Sequence, residues 1–163
     1  MQKAAAEASV MMNADAQGGG EITAARFREA SRGRGGGWNA RRWANFLADL
    51  DRFRAALAEE RSGAVAFEAA DHVTQAIESG LVQPAMVGAM AFEARRFFAQ
   101  AEKLIPERSG EVKARWARLE IVTARPWVAL DLLDGALARA RDQPTRERLI
   151  ALQEEAWFAS YPT

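Results

Sequence analysis

The stretch from Pro84 to Pro106, PAMVGAMAFEARRFFAQAEKLIP, constrains this chain more than any other. A proline stands at each end and none between. Met86, Val87, Met90, Ala94, Phe97, Phe98, Ala101, Leu104 and Ile105 recur at three- and four-residue steps. On a helix that spacing stacks them along one face broad enough to be buried. Glu93, Arg95, Arg96, Gln100, Glu102 and Lys103 fall on the other side and are expected to face water. A helix this apolar on one face needs other helices to cover it.

The rest of the chain supplies them. From Trp38 to about Glu60, Trp43, Phe46, Leu47, Leu50, Phe53 and Leu57 form one helical stripe, while Arg41, Arg42, Asp49, Arg52, Glu59 and Glu60 mostly fall outside it. Ser62 and Gly63 read as the end of that helix. Val65, Ala69, Val73, Ala76 and Ile77 mark a second, ending at Ser79 and Gly80. Pro84, Pro126 and Pro144 each sit where a proline pre-sets the first turn of a helix, since the missing amide there costs no hydrogen bond. Ser109 and Gly110 open a helix through Val112, Trp116, Leu119 and Val122, with Glu111 placed to pair with Arg115 one turn on. It must end before Pro126. Trp127, Leu130, Leu133, Ala136, Leu137 and Ala140 make the next, and a last helix from Pro144 carries Leu149, Leu152, Ala156 and Trp157. No alternating strand pattern bounded by hairpin turns is present.

Upstream of Trp38 the character changes. Residues 2–16 are rich in alanine with little to bury, and glycine runs at 18–20 and 35–37 break any helix. Residues 1–37 are therefore expected to be a flexible arm containing Gly and Arg, and residues 38–163 the helical domain.

Two helices share a spacing. Ala94, Phe98, Ala101 and Pro106 stand at steps of four, three and five, and Ala129, Leu133 and Ala136 repeat the first two steps 35 residues later. This resembles the second helix of a tetratricopeptide repeat, a unit of about 34 residues with small side chains where paired helices approach closely. Trp116 and Ala117 fit the large and small pair of the first helix, whereas Glu120 stands where a tyrosine-like residue belongs and Gly80 and Pro84 interrupt the corresponding helix upstream. The resemblance spans residues 84–142. It implies a protein-binding scaffold without catalysis and carries over no functional residue.

Composition narrows the chemistry. With no cysteine there is no disulfide framework or thiol nucleophile, and the single His72 leaves too few imidazoles for a usual zinc or non-haem iron centre. No cofactor or metal site is expected. Lys plus Arg and Asp plus Glu number 22 each, so the molecule has no global field to attract nucleic acid or an acidic membrane. No apolar run approaches the roughly 20 residues of a membrane span. Glu7 and Asn13 interrupt what would be a signal peptide's apolar core, so the expected setting is cytoplasmic, and the scarcity of lysine beside arginine and alanine suggests a bacterial source.

Residues 26–43, RFREASRGRGGGWNARRW, hold Arg26, Arg28, Arg32, Arg34, Arg41 and Arg42 against one acid, with Trp38 and Trp43 interleaved. Guanidinium groups bind phosphate and indoles stack on bases, so this stretch could serve a nucleic-acid-binding protein. Its plainer reading is a hinge followed by a helix with Trp43 in the core. GRGGG lacks the strand, lysine and serine or threonine of a nucleotide-binding loop. Glu68, Asp71 and His72 form a carboxylate and imidazole cluster in which Glu68 and His72, one turn apart, could pair as acid and base. A boundary histidine bonded to a neighbour is the plainer reading. Trp38, Trp127 and Trp157 lie near helix ends where one edge can face solvent, a setting typical of interface anchors.

The expectation is an all-α fold: an irregular antiparallel helical bundle or a short tetratricopeptide-like helical-hairpin array, with a flexible N-terminal arm. The expected function is non-catalytic: an adaptor, regulator or assembly subunit binding another protein through a helical groove or the arm, with Trp38, Arg41, Arg42, Trp127 and Trp157 as candidate contacts. Nucleic-acid binding through residues 26–43 is the alternative, and an enzyme or phage structural component without a readable motif a further one. Self-association into a homo-oligomer is open.

Overall fold

The computed structural model of the chain describes residues 38–161, with side chains from Ala40 onward. Over that span it is an all-α helical bundle. Its helices are α1 (Trp38–Glu59), α2 (Gly63–Glu78), α3 (Pro84–Leu104), α4 (Ser109–Val122), α5 (Pro126–Arg139) and α6 (Gln143–Ser160), with a 3-10 turn at Pro106–Arg108 before α4. No strand occurs among the described residues.

Local chemistry sets the boundaries. Pro84 and Pro126 are the first residues of α3 and α5, as their spacing predicts. Helix α6 starts at Gln143, one residue ahead of its proline, because the Asp142 carboxylate accepts the Thr145 N–H at 2.9 Å. Ser62 and Gly63 do not stop the first helix as expected but begin the second. The Ser62 hydroxyl accepts the Val65 N–H at 3.3 Å. A Cβ on Gly63 would lie 2.8 Å from Ile105 Cγ2 and 3.0 Å from Leu104 Cβ, so glycine lets the start of α2 meet the end of α3. That same contact is where α3 runs out, which leaves Leu104 exposed instead of buried.

Helices α2 and α4 end by the same device with different residues. After α2, Gly80 takes φ +75°, its N–H reaches the Ile77 carbonyl and the Leu81 N–H reaches that of Ala76. After α4 the left-handed position falls to Ala124 at φ +60°, with Ala124 N–H on Ile121 and Arg125 N–H on Glu120. Alanine pays a steric penalty there that glycine does not. Ala124→Gly is therefore expected to raise unfolding stability by about 1 kcal/mol in urea denaturation, and a loss of stability would show that the turn does not hold this conformation.

Packing follows a zigzag. Helix α2 contacts α1, α3 and α4; α4 contacts α2, α3, α5 and α6; α5 packs on α4 and α6. Thus α2, α4 and α6 stand side by side, with α3 and α5 set against the seams between them. One core joins Trp43, Phe46, Leu47 and Leu50 of α1 to Phe67 and Val73 of α2, Met86, Met90 and Phe98 of α3 and Val112 and Leu119 of α4. A second gathers Ala117, Ala129, Leu133, Ala136, Leu149 and Ala156. Helix α4 is the wall they share.

Two ion pairs lie inside the packing. Glu93, expected to face water, is buried between α1 and α3, where Arg54 donates through Nε at 2.6 Å and Nη2 at 2.5 Å. It stands three residues after Met90 and four before Phe97, so its position belongs to the apolar face although its type does not. Glu120 of α4 is fully buried and accepts from Arg95 of α3 at Nε (2.6 Å) and Nη2 (3.3 Å), with Thr123 Oγ1 3.3 Å from the same Nη2.

Candidate partner-binding groove

Because α2, α4 and α6 stand side by side, their common face holds a cleft of about 600 Å³. Phe67 from α2, Ala114 from α4 and Leu149 and Leu152 from α6 supply its apolar lining, and Asp71, Glu111, Arg115, Arg118 and Arg148 supply its charge. Arg115 crosses from α4 to the Asp71 carboxylate on α2. Arg118 spans all three helices, with Nη2 on Glu78 of α2 and Nη1 on Glu155 of α6, both at 2.6 Å. Those carboxylate hydrogen bonds raise its pKa above the usual guanidinium value. At the mouth, the Arg108 guanidinium lies 5.1 Å from the centroid of the Phe67 ring and donates to Glu111 at 3.0 and 3.1 Å.

Arg148 differs from these. It is exposed, lines the cleft and makes no ion pair among the described residues, Asp142 attracting it only from beyond contact distance. The site therefore offers an apolar floor, two guanidinium groups held in place by carboxylates and one with its donors unspent. Such an arrangement suits a polypeptide segment that inserts large apolar side chains and brings a carboxylate, since a guanidinium fork binds carboxylate bidentately.

The contacts singled out in the sequence fall elsewhere, in two groups. Arg41 and Arg42 are exposed on the first turn of α1, and Arg42 helps line a depression of about 460 Å³ with Asn45, Asp49 and His72. Trp38 begins α1, but its side chain lies outside the described residues. Trp127 and Trp157 are exposed on α5 and α6, which do not contact α1. Arg26, Arg28, Arg32, Arg34 and the GRGGG run all lie outside the described residues. Trp43 is buried, as its place on the stripe predicts.

The cluster of Glu68, Asp71 and His72 is dispersed. Glu68 is exposed, Asp71 turns into the groove, and His72 turns toward α1. There its ring stacks on Phe46 with centroids 4.9 Å apart and meets Phe53 at 5.6 Å. Its Nε2 is 3.9 Å from Asp49 Oδ2, too far for a hydrogen bond. The expected pairing of Glu111 with Arg115 also fails: Arg115 faces α2 and takes Asp71, and Glu111 takes Arg108.

Burial lowers the pKa of His72 below 6.5, against the opposing pulls of a hydrogen bond with the Phe46 backbone and of the negative charge of Asp71. The unfolded chain then binds a proton at a pH where the folded one does not. Stability from this group is complete above about pH 6.5 and falls as the pH drops from there through the folded-state pKa. Urea midpoints of the protein should decline across that window, and those of His72→Gln should lose this part of the decline. Equal slopes would refute it.

Among the described residues, no group of three or more His, Asp or Glu side chains is placed to hold a metal ion. Comparison of the chain with protein-family models, curated proteins and solved structures found no match.

Proposed function

We propose that this chain is a non-catalytic protein-interaction module, an adaptor, regulator or assembly subunit, that seats a segment of a partner protein between α2, α4 and α6. The observation that carries this reading is the cleft itself: an apolar lining of Phe67, Leu149 and Leu152 flanked by Arg115, Arg118 and Arg148. The partner segment presents apolar side chains to the lining and an acidic one to Arg148. The zigzag of helices supports the reading, because a tetratricopeptide-like hairpin array also sets alternate helices side by side and leaves their common face open. A cytoplasmic setting goes with it, and no helix among the described residues is long and apolar enough to cross a membrane.

Capture of the tagged protein from its own cell extract, with and without nuclease, tests this reading when run beside Arg148→Glu. The expected result is a stoichiometric protein that survives nuclease and binds the variant at least about tenfold more weakly. Partners that vanish with nuclease would instead favour nucleic-acid binding through residues 26–43. Equal capture by the variant would remove the groove.

A further inference from the structure

We propose that the open end of the α5–α6 hairpin is the contact surface for a second copy of this chain, a two-fold dimer centred on Trp127, Trp157, Phe158 and Tyr161. The two helices run antiparallel across the short link at residues 140–142. Gln153 Nε2 donates to Asp134 Oδ1 at 2.7 Å and sets their register. Trp127 lies two helical turns before Asp134 on the same face of α5, and Trp157 lies one turn beyond Gln153 on α6. Both therefore flank one seam at the same end of the hairpin. The rings of Trp157 and Tyr161 are 6.5 Å apart, and Phe158, the next residue after Trp157, projects about 100° further round α6 at the same end of the helix.

These side chains are open to solvent to an extent unusual for their size: Trp127 63%, Trp157 54%, Phe158 79% and Tyr161 66%. A large aromatic residue buries about 150–250 Å² when fully covered, so at these exposures the four leave roughly 400–650 Å² of surface open. A standard interface takes about 800 Å² from each partner, of which these side chains can supply half or more, the rest coming from the polar residues around them. A two-fold arrangement lays the patch on itself and so supplies both sides of the contact from one surface. With 22 cationic and 22 acidic side chains the chain has no net charge, and two copies approach without long-range repulsion. Arg148, Leu149 and Leu152 line the groove from another part of α6, so the dimer leaves the groove accessible.

Sedimentation equilibrium of the purified protein over a concentration series tests this without any partner. The mass is expected to rise from 17.9 kDa toward twice that value. Trp127→Glu and Phe158→Lys, made separately, should each weaken association at least about tenfold. Each new charge suits the helix end it joins, Glu near the start of α5 and Lys near the end of α6, so thermal melts of the dilute variants should match the parent. Phe92→Ser, at an exposed aromatic of α3, should dimerise like the parent. A parent that stays at 17.9 kDa throughout, open-ended growth beyond the dimer, or a dimer indifferent to both patch variants would each overturn the proposal.

Discussion

Glu120→Ala is expected to destabilise the fold by about 2–4 kcal/mol, because it takes the buried carboxylate away from the largely buried Arg95 guanidinium and from Arg125, whose Nε lies 3.6 Å from Glu120 Oε2. Glu120 has no exposed surface, and both of its oxygens accept from Arg95. The pair ties α3 to α4, and the main-chain carbonyl of Glu120 also accepts the Arg125 N–H in the turn that ends α4. Adding Arg95→Met to the alanine variant should recover part of the loss, since an apolar side chain leaves no charge to desolvate. Urea denaturation of the two single variants and the double variant measures the coupling. A single-variant cost below about 1 kcal/mol, the size of a surface ion pair, would show that water reaches the site.

Phe98→Ala should cost about 3–5 kcal/mol, by a different route. The Phe98 ring is fully buried, stacks on Trp116 of α4 with centroids 5.9 Å apart, and meets Phe67 of α2 edge-on at 6.4 Å. Its removal opens a cavity where three helices meet. Because Phe67 also lines the groove, its ring is expected to sink toward that cavity, so the variant should bind a partner less well than its remaining stability implies. Denaturation followed by tryptophan fluorescence checks the first part. A cost below about 2 kcal/mol would mean that the neighbouring helices close the space.

The helices themselves were legible, for reasons visible in single residues. Prolines at 84 and 126 begin helices, Gly80 ends one, and the three- and four-residue steps pick out the buried face of α3. Sequence and structure part where residue type and position disagree. Glu93 occupies an apolar-face position and is buried with Arg54, and Ala124 takes a backbone conformation that glycine usually fills. A serine followed by glycine can stop one helix or start the next. At Ser62 and Gly63 the approach of Ile105 from α3 decides it, a contact 42 residues away along the chain (105 − 63).

The groove was not legible, because no local spacing encodes it. Its lining comes from positions 67 and 71, 110–118 and 145–152, brought together only by the packing of α4 against both α2 and α6. Asp71 and His72 show the difficulty at its smallest scale. They are adjacent in sequence, yet about 100° of helical rotation sends one into the groove and the other against α1. Likewise the i,i+4 rule offers Arg115 to Glu111, but α2 presents Asp71 on the face that Arg115 already occupies. Local rules rank neighbours on one helix, and helix packing outranks them.

Site-specific photo-crosslinking in cells tests the groove most directly. A photoreactive amino acid replaces Thr145, which lines the cleft, or Phe92, which is exposed on α3 and lies outside it. The groove reading predicts one protein adduct from position 145 that persists after nuclease, is absent from position 92 and is lost when Arg148→Glu is added. Adducts of equal yield at both positions, or at neither, would contradict it.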